Sequence, residues 1–376
     1  MKIGLITTSL DQKKYAGFSN YVSHLIMEFK KINSKNKYYL IHYNSNPECK
    51  LYTKENNLLI PISGVVFKKF LWYFFLPFHL KKNKIKILHG LTQTLPFFKL
   101  KGMKYVMTVH DLTTIILPKT HKLTSFFKDK LLLSHMLKIS DLITTNSIST
   151  KNDIIKHFKI SPDKIKVVYH AYDDKTYHKL SANEKKISEF KKKYSINYDF
   201  FLFVGTMQPR KNIITILKAM ILLKESNELK HKLVIIGAKG WKYSPIFSFI
   251  KENNLEEDVR FMNYIPNEDL KFFYNFSKAF VWPSLYEGFG IPPLEAMACG
   301  TPVITSKISS MPEILGDAAS YIYPPTNYSE LAKKMIQIIK DKDLRQELIK
   351  KGFLVSSKYG WSKTAKKTEE LYENLL

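Results

Sequence analysis

Short apolar runs alternate with amphipathic segments along almost the whole sequence, and this alternation restricts the fold more than any other feature. Many of the runs are apolar on both faces, which is typical of strands in a sheet that is covered on both sides. Strands that alternate with helices in this way predict an α/β fold with parallel sheets. The predicted strands are Lys2–Thr8, Tyr38–Tyr43, Ile85–His89, Lys104–Val109, Leu142–Asn146, Lys166–His170, Phe200–Gly205, Lys232–Gly237, Val259–Met262, Ala279–Trp282, Pro302–Thr305 and Ser320–Tyr323. The predicted helices are Asn20–Lys31, Leu123–Lys138, Ser147–Phe158, Asn212–Lys224, Asn267–Phe276, Leu331–Ile339 and Trp361–Leu375.

One polar stretch interrupts the alternation. Residues 173–198 are rich in Lys and Glu and contain no strong strand candidate. We therefore predict two doubly wound, Rossmann-like domains, covering residues 1–175 and 176–358, that face each other across a cleft. Ligands of such sheets bind outside the carboxyl ends of the strands, so the site is expected in that cleft.

The charge balance is the unusual part of the composition. Fifty-nine Lys and Arg residues against thirty-three Asp and Glu residues give a formal net charge of +26, which favours anionic partners. Only Arg210, Arg260 and Arg345 are arginines, whereas sequence-specific readers of nucleic acids rely on arginine. We expect no specific nucleic-acid partner, while charge-driven binding to nucleic acid or membrane stays open as an alternative function.

Composition and segment lengths exclude several classes of protein. A chain with 45% hydrophobic residues is not disordered, and two cysteines cannot form a disulfide framework or a four-ligand zinc site. The apolar start of the sequence ends at Asp11, which is too early for a signal peptide. The longest apolar stretch, Phe70–Leu80, contains Pro77 and falls short of the ~20 residues of a membrane-spanning helix. We therefore expect a cytoplasmic protein.

The segment from Trp282 to Ser306, WPSLYEGFGIPPLEAMACGTPVITS, is the most informative part of the sequence. A predicted strand is followed by a glycine loop, two prolines, a short helix from Leu294 to Cys299 and a second strand. Glycine allows backbone N–H groups to approach a ligand closely, and a helix N-terminus favours a diphosphate. Glu287 in the loop and Glu295 in the first helical turn are placed to contact different parts of one extended ligand.

A second segment, FVGTMQPRKN, is predicted to end a strand and begin a helix. It carries Gly205 and the adjacent pair Arg210 and Lys211. Arginine offers a fork of N–H donors to a phosphate, and lysine offers a compact positive charge. The pair follows the first strand of the second domain, where a ligand is expected.

Both segments resemble the retaining glycosyltransferases of the GT-B fold, specifically family 4. The first resembles the family's E-x7-E region, and the second its G-T-x-x-P-R-K-N segment. The resemblance implies that Glu287 contacts the donor sugar and Glu295 the ribose of the nucleotide. It assigns the backbone of Phe289, Gly290 and Ile291, with the helix at Leu294, to the sugar and diphosphate. By the same resemblance, Gly205 lies at the donor, and Arg210 and Lys211 grip the leaving diphosphate.

The first domain resembles the family less closely. Its first strand is followed by Ala16-Gly17-Phe18, where the family has a glycine-rich loop, so the backbone of Gly17 is a candidate phosphate contact. The segment Val109-His110-Asp111 resembles the family's V-H-D segment, which implies that His110 lies beside the donor sugar. As in relatives, the helix over residues 359–376 is expected to pack back on the first domain.

We therefore predict a retaining hexosyltransferase that uses a nucleotide-diphosphate sugar, with GDP-mannose favoured, and a glycan or lipid-linked acceptor of surface polysaccharide synthesis. The first domain would bind the acceptor and the second the donor, with no metal ion and no cofactor. The aromatic, basic-flanked segment Phe67–Ile87 is either a helix packed on the first sheet or a surface that touches an anionic membrane from the cytoplasmic side. Another GT-B enzyme, such as a sugar epimerase, is a further alternative.

Overall fold

The computed structural model describes residues 1–11, 17–32, 35–43, 49–53, 56–60, 66–121, 123–181 and 184–375, with the side chains of residues 66–70, 123–125, 127, 128 and 184 left undescribed. Internal contacts divide the chain into two compact units. Unit 1 comprises Met1–His170 and Trp361–Leu376, and unit 2 comprises Ala171–Gly360. The domain limits predicted at residues 175 and 358 stay a prediction.

Unit 1 is built on a seven-stranded parallel sheet in the order β3-β2-β1-β4-β5-β6-β7. Its strands are β1 Lys2–Ile6, β2 Lys37–His42, β3 Asn57–Leu59, β4 Ile87–Gly90, β5 Lys104–Val109, β6 Leu142–Thr145 and β7 Ile165–Val167. Its first five helices are α1 Phe18–Phe29, α2 Val66–Lys82, α3 Thr113–Ile116, α4 Leu123–Ile139 and α5 Ile148–Phe158. The strand order reverses at β1, so the carboxyl ends of β1, β4 and β5 form the topological switch point of this sheet.

Unit 2 is built on a six-stranded parallel sheet in the order β10-β9-β8-β11-β12-β13. Its strands are β8 Phe200–Val204, β9 Lys232–Ile236, β10 Val259–Met262, β11 Ala279–Trp282, β12 Val303–Ser306 and β13 Ala319–Ile322. Its helices are α6 Glu184–Tyr194, α7 Ile213–Glu225, α8 Ser244–Glu252, α9 Asn267–Phe276, α10 Ile291–Ala298, α11 Met311–Leu315, α12 Tyr328–Lys340 and α13 Lys342–Ser356. Here the switch point lies between β8 and β11.

The helix α14, Trp361–Glu373, completes unit 1 although it follows all of unit 2 in the sequence. Its Trp361 ring stacks on His24 of α1 at 5.2 Å between centroids. Glu369 accepts hydrogen bonds from Asn36 and Tyr38, at 3.2 and 3.0 Å. The unit 1 fold therefore depends on a distant segment of the chain.

The predicted fold class is confirmed: both sheets are parallel and doubly wound. Among the predicted strands, Lys104–Val109, Val259–Met262 and Ala279–Trp282 have the observed bounds. The sequence analysis did not predict strand β3 or helices α3, α6, α8, α11 and α13. The edge strand β3 is only three residues long and partly exposed, and α3 and α11 are only four and five residues long.

The apolar, aromatic segment Phe67–Ile87 is helical up to Lys82, as α2, and its last residue begins β4. The side chains of its first residues, up to Phe70, lie outside the described part of the structure. Along the described part of the chain, no helix combines the length and hydropathy needed to cross a membrane.

Candidate active site

Three charged side chains meet at the switch point of unit 2. Glu287 Oε2 lies 2.6 Å from Arg210 Nη1, and Glu287 Oε1 lies 2.7 Å from Lys211 Nζ. All three side chains are at most 11% exposed. The structure therefore brings together the predicted carboxylate and both predicted cations, which are more than seventy residues apart in the sequence.

The backbone holds the two cations at this position. Arg210 and Lys211 lie in a single helical turn, Pro209–Lys211, that ends at Asn212 in the left-handed conformation, with φ 57°. The Asn212 amide donates to the carbonyls of Pro283 and Pro325, both at 2.9 Å. Asparagine tolerates this backbone conformation better than other side chains, so it fixes the turn and anchors it to the loop after β11.

Lys211 has a second partner that the sequence did not reveal. Its ammonium lies 4.0 Å from the centroid of the Trp282 ring, at the end of β11. Gly205, with φ 154°, lies beside the Lys211 stem, so a Cβ there would be 3.8 Å from Lys211 Cε. Gly205 and the Trp282 ring therefore both lie against the Lys211 side chain.

The loop that carries Glu287 is held by two serines that sequence reasoning missed. Ser309 Oγ accepts from the Glu287 N–H at 3.0 Å, and Ser310 Oγ donates to the carbonyls of Glu287 and Phe289 at 3.0 and 3.2 Å. These serines lie just beyond the segment Trp282–Ser306. Their hydroxyl groups, close to the glycine loop in sequence, were the one feature that could have indicated this role. Gly290 adopts φ 97°, and a Cβ at this position would collide with Met311.

Helix α10 begins three residues earlier than predicted, at Ile291 rather than Leu294. The predicted start was wrong because Pro292 and Pro293 lie inside the first turn, where a missing N–H has no cost. Within that turn only Gly290 and Ile291 can present backbone N–H groups that need a partner. Leu294 is the fourth helical residue and is fully buried, so its N–H belongs to the helix ladder.

The two glutamates predicted to contact the donor have pKa values shifted in opposite directions. Burial alone would raise the pKa of Glu287, but the adjoining Arg210 and Lys211 outweigh it and hold that pKa below its ordinary value. Burial raises the pKa of Glu295 to about 7, although Tyr274 donates a hydrogen bond to its Oε2 at 2.8 Å. Glu287 is therefore a carboxylate at neutral pH, whereas Glu295 is near its titration midpoint.

Two of the residues predicted to contact the donor, His110 and Gly17, belong to unit 1. His110 follows β5 and is 4% exposed, and its Nε2–H donates to the Leu91 carbonyl at 2.7 Å. Burial lowers the pKa of His110 to about 4. Gly17 precedes α1 with φ 52°, and nothing lies within 4 Å of a Cβ built on it. Ala16 falls outside the described residues.

His110 belongs to a buried cluster that the sequence did not predict. Its ring lies 5.0 Å from that of His170, which stacks on Tyr21 at 4.4 Å. His89 bonds Tyr372 at 2.5 Å and Thr108 at 2.8 Å. Burial lowers the pKa of His89 to about 3 and that of His170 well below its ordinary value. These three histidines are therefore polar but uncharged at neutral pH.

Comparison with known proteins decides the family. Residues 19–176 match the model described as Glycosyltransferase Family 4, and residues 184–355 match Glycosyl transferases group 1. The chain is 30% identical over 297 residues to O-antigen chain mannosyltransferase B of Escherichia coli, covering 79% of this chain and 76% of that protein. The chain belongs to the family 4 glycosyltransferases.

Two further likenesses agree with this assignment. The glycosyltransferase is 28% identical over 285 residues to the serotype-specific mannosyltransferase WbdA of Escherichia coli, and it spans 34% of that longer protein. Sucrose-phosphate synthase from Thermosynechococcus elongatus superimposes with a TM-score of 0.80 at 19% identity, over 100% of this chain and 98% of that one. The fold of this glycosyltransferase is GT-B.

The unit 2 site of the glycosyltransferase is suited to electrostatic work on an anion. It offers two buried cations and the N–H groups at the start of α10. Hydrogen bonds from Asn212, Ser309 and Ser310 hold the loops that carry these groups. Among the residues that the structure describes, no group of three or more His, Cys, Asp or Glu side chains could hold a metal ion.

Proposed function

We propose that this glycosyltransferase moves a mannosyl group, with retention of configuration, from a nucleotide-diphosphate mannose to an acceptor. GDP-mannose is the favoured donor, and the acceptor is a glycan or a lipid-linked molecule of surface polysaccharide synthesis. Two relatives at 28–30% identity are named mannosyltransferases, which supports the sugar. The single observation that carries the chemistry is the pairing of Arg210 and Lys211 with Glu287 at the carboxyl ends of β8 and β11.

The leaving diphosphate gains negative charge as the bond to the sugar breaks. Arg210, Lys211 and the N–H groups of Gly290 and Ile291 would stabilise that charge more strongly than water does, because they are oriented before the reaction. A new bond from the sugar to the acceptor oxygen then forms on the face from which the diphosphate leaves. The acceptor proton passes to the departing phosphate oxygen.

Glu287 would orient the donor sugar. Each of its oxygens already accepts from one cation, and a carboxylate oxygen has a second lone pair for a sugar hydroxyl. Because its pKa is held low, Glu287 accepts hydrogen bonds and does not donate a proton at neutral pH. We assign Glu295 to the nucleotide ribose on the family resemblance.

His110 would contact the donor sugar as a neutral ring. Since its Nε2–H is donated to Leu91, its Nδ1 is an acceptor and can receive a hydrogen bond from a hydroxyl. A pKa of about 4 prevents it from acting as a general acid at neutral pH. We assign it a positioning contact rather than a proton-transfer step.

The test is a donor panel with purified protein, monitored by release of the nucleoside diphosphate. GDP-mannose should be turned over in the presence of a mannose-containing oligosaccharide, and UDP-glucose and dTDP-rhamnose should not. Arg210→Ala and Lys211→Ala should each lower kcat by ~100-fold or more, as expected for loss of a donor that acts on developing charge. The control Lys224→Ala removes a cation that pairs with Asp258 on the surface. Turnover of UDP-glucose alone would refute the mannosyl assignment, and unchanged kcat in both Arg210 and Lys211 variants would refute the site.

We also propose that α2 places the enzyme on the anionic inner face of the plasma membrane. Phe74, Phe75 and Phe78 are 42%, 49% and 49% exposed, which is unusual for large aromatic side chains. Lys81 and Lys82 follow in the last turn. Aromatic rings insert at the headgroup level, and lysines bind acidic lipids there.

Sedimentation with vesicles tests this surface. Wild-type protein should sediment with phosphatidylglycerol-containing vesicles and remain in solution with pure phosphatidylcholine. Phe75→Ser with Phe78→Ser should abolish sedimentation, whereas Leu354→Ser, at an even more exposed apolar residue of α13, should not. Equal sedimentation of both variants would contradict the assignment to α2.

A further inference from the structure

A pocket of about 610 Å³ opens in unit 2 at the end of the sheet opposite the donor residues. Its floor is formed by apolar side chains of α6, β8 and α9, namely Phe190, Ile196, Phe200 and Phe276. Phe200 begins β8, whereas Gly205 follows it at the other end. At ~3.3 Å per residue, the two ends of this strand are about 16 Å apart. The pocket is therefore separate from the Arg210–Lys211–Glu287 cluster.

The polar wall of the pocket carries an excess of positive charge. Lys191, Lys278 and Arg345 line it, and Asp199 is the one acidic residue among its lining residues. That carboxylate is 57% exposed and lies 2.9 Å from Lys278 Nζ. A single, well-hydrated carboxylate cannot neutralise three cations, so the pocket presents net positive potential.

Arg345 is the most constrained of these cations. Among the described residues its guanidinium makes one hydrogen bond, from Nη1 to the Lys278 carbonyl at 2.6 Å. Burial lowers the pKa of Arg345, and Asp199 offsets this only in part. A guanidinium has five N–H donors in a fixed fork that matches phosphate oxygens. The structure thus places a partly desolvated guanidinium, anchored through Nη1, in the lining of the pocket.

We propose that this pocket binds a small phosphate monoester with a polar body, such as a sugar phosphate. Arg345, Lys278 and Lys191 would bind the phosphate oxygens. Asn197 and Tyr198 would contact the body of the ligand, and the apolar floor would lie beneath it. The volume lies within the ~300–1,000 Å³ typical of small-molecule sites. The proposal does not depend on the transfer reaction, because no donor residue lines the pocket.

Calorimetry at low salt with three probes tests the proposal: glucose 6-phosphate, inorganic phosphate and glucose. We expect glucose 6-phosphate to bind, phosphate to bind more weakly and glucose not to bind. Lys191→Glu should weaken glucose 6-phosphate by at least about tenfold, since a charge-assisted contact is lost. Lys191 is exposed, so this variant keeps its fold. Arg345→Gln should weaken binding further, and Arg345→Lys should restore part of it.

Two controls separate this pocket from the donor site and from general charge. Lys251→Glu makes the same charge change at an exposed residue of α8 and should leave the affinity unchanged. Arg210→Ala combined with Lys211→Ala removes the donor cations and should also leave it unchanged. Equal weakening by Lys191→Glu and Lys251→Glu, loss of binding in the double variant, or no binding of any phosphate probe to the wild type would each overturn the proposal.

Discussion

The two sheets bury polar groups of opposite kinds at their switch points. In unit 1 the group consists of His89, His110 and His170, which are at most 5% exposed and are neutral at ordinary pH. In unit 2 it consists of Glu287 with two cations, and all three are charged. Glu287 pairs with both cations, and His89 and His110 each have a hydrogen-bond partner, as buried polar groups generally do. Only the second group carries fixed charges at neutral pH.

This difference fits the two tasks that we propose for the enzyme. Fixed charges interact strongly with a diphosphate whose charge increases during the reaction. Uncharged rings and hydroxyls discriminate by shape and hydrogen bonding, which suits a neutral sugar or glycan. The contrast predicts different sensitivities of the two units to mutation and to pH.

Among single substitutions, the largest effect should follow removal of the carboxylate that both cations share. Glu287→Ala leaves Arg210 and Lys211 buried without it, so unit 2 should lose roughly 3–5 kcal/mol of unfolding free energy. Arg210→Ala should reduce the unfolding free energy by less, because Glu287 stays paired with Lys211. Hydrogen exchange of peptides covering residues 200–212 and 279–290 measures the loss. Equal losses in the two variants would show that the cations do not depend on Glu287.

Acid should open unit 1 before unit 2. The folded pKa values of His89 and His110, about 3 and 4, lie below the ordinary 6.5. Their contribution is therefore complete above pH 6.5 and is lost as the pH falls toward 4, at about 1.4 kcal/mol per unit of pKa depression. The lowered pKa of Glu287 destabilises unit 2 only below its ordinary value of 4.5.

Hydrogen exchange at pH 7, 6 and 5 distinguishes the units. Peptides from β4 and β5 should lose protection first, and those from β8 and β11 later. The variant His110→Asn should flatten the pH dependence of unit 1 without changing that of unit 2. Earlier exchange in unit 2 at pH 5 would reverse the comparison.

The smallest effect is expected for Glu295, whose pKa is raised whereas that of Glu287 in the same unit is lowered. Its folded pKa of about 7 lies above the ordinary 4.5, so ionisation destabilises the fold increasingly as the pH rises from 4.5 to 7. Glu295→Gln should therefore raise the stability of unit 2 at pH 8, by up to about 3 kcal/mol, and by less at pH 5. Thermal unfolding at the two pH values measures the difference. A gain that is larger at pH 5 would contradict the assigned direction.

The sequence predicted features that depend on local pattern. Strands that are apolar on both faces, such as Ala279–Trp282, could be found because their burial requires that composition. The Arg210–Lys211 and Glu287 segments were found because strand ends in a parallel sheet converge at one edge. The structure adds that these charges pair directly.

The features that the sequence missed depend on contacts between distant segments. His89, His110 and His170 follow separate elements, and no spacing indicates that they share one cluster with Tyr372. The start of α10 was misplaced because two prolines were interpreted as preceding the helix, although a first turn accepts them. The strand β3 is too short for its pattern to stand out.

The position of α14 gives protein synthesis a particular order. Residues 361–373 leave the ribosome after all of unit 2, yet Trp361, Glu369 and Tyr372 supply contacts inside unit 1. While unit 2 is being translated, the nascent unit 1 must wait with its α1 surface and His89 uncovered. The half of the molecule that is made first is thus the half that is finished last, and its apolar α1 surface stays exposed to solvent during that interval.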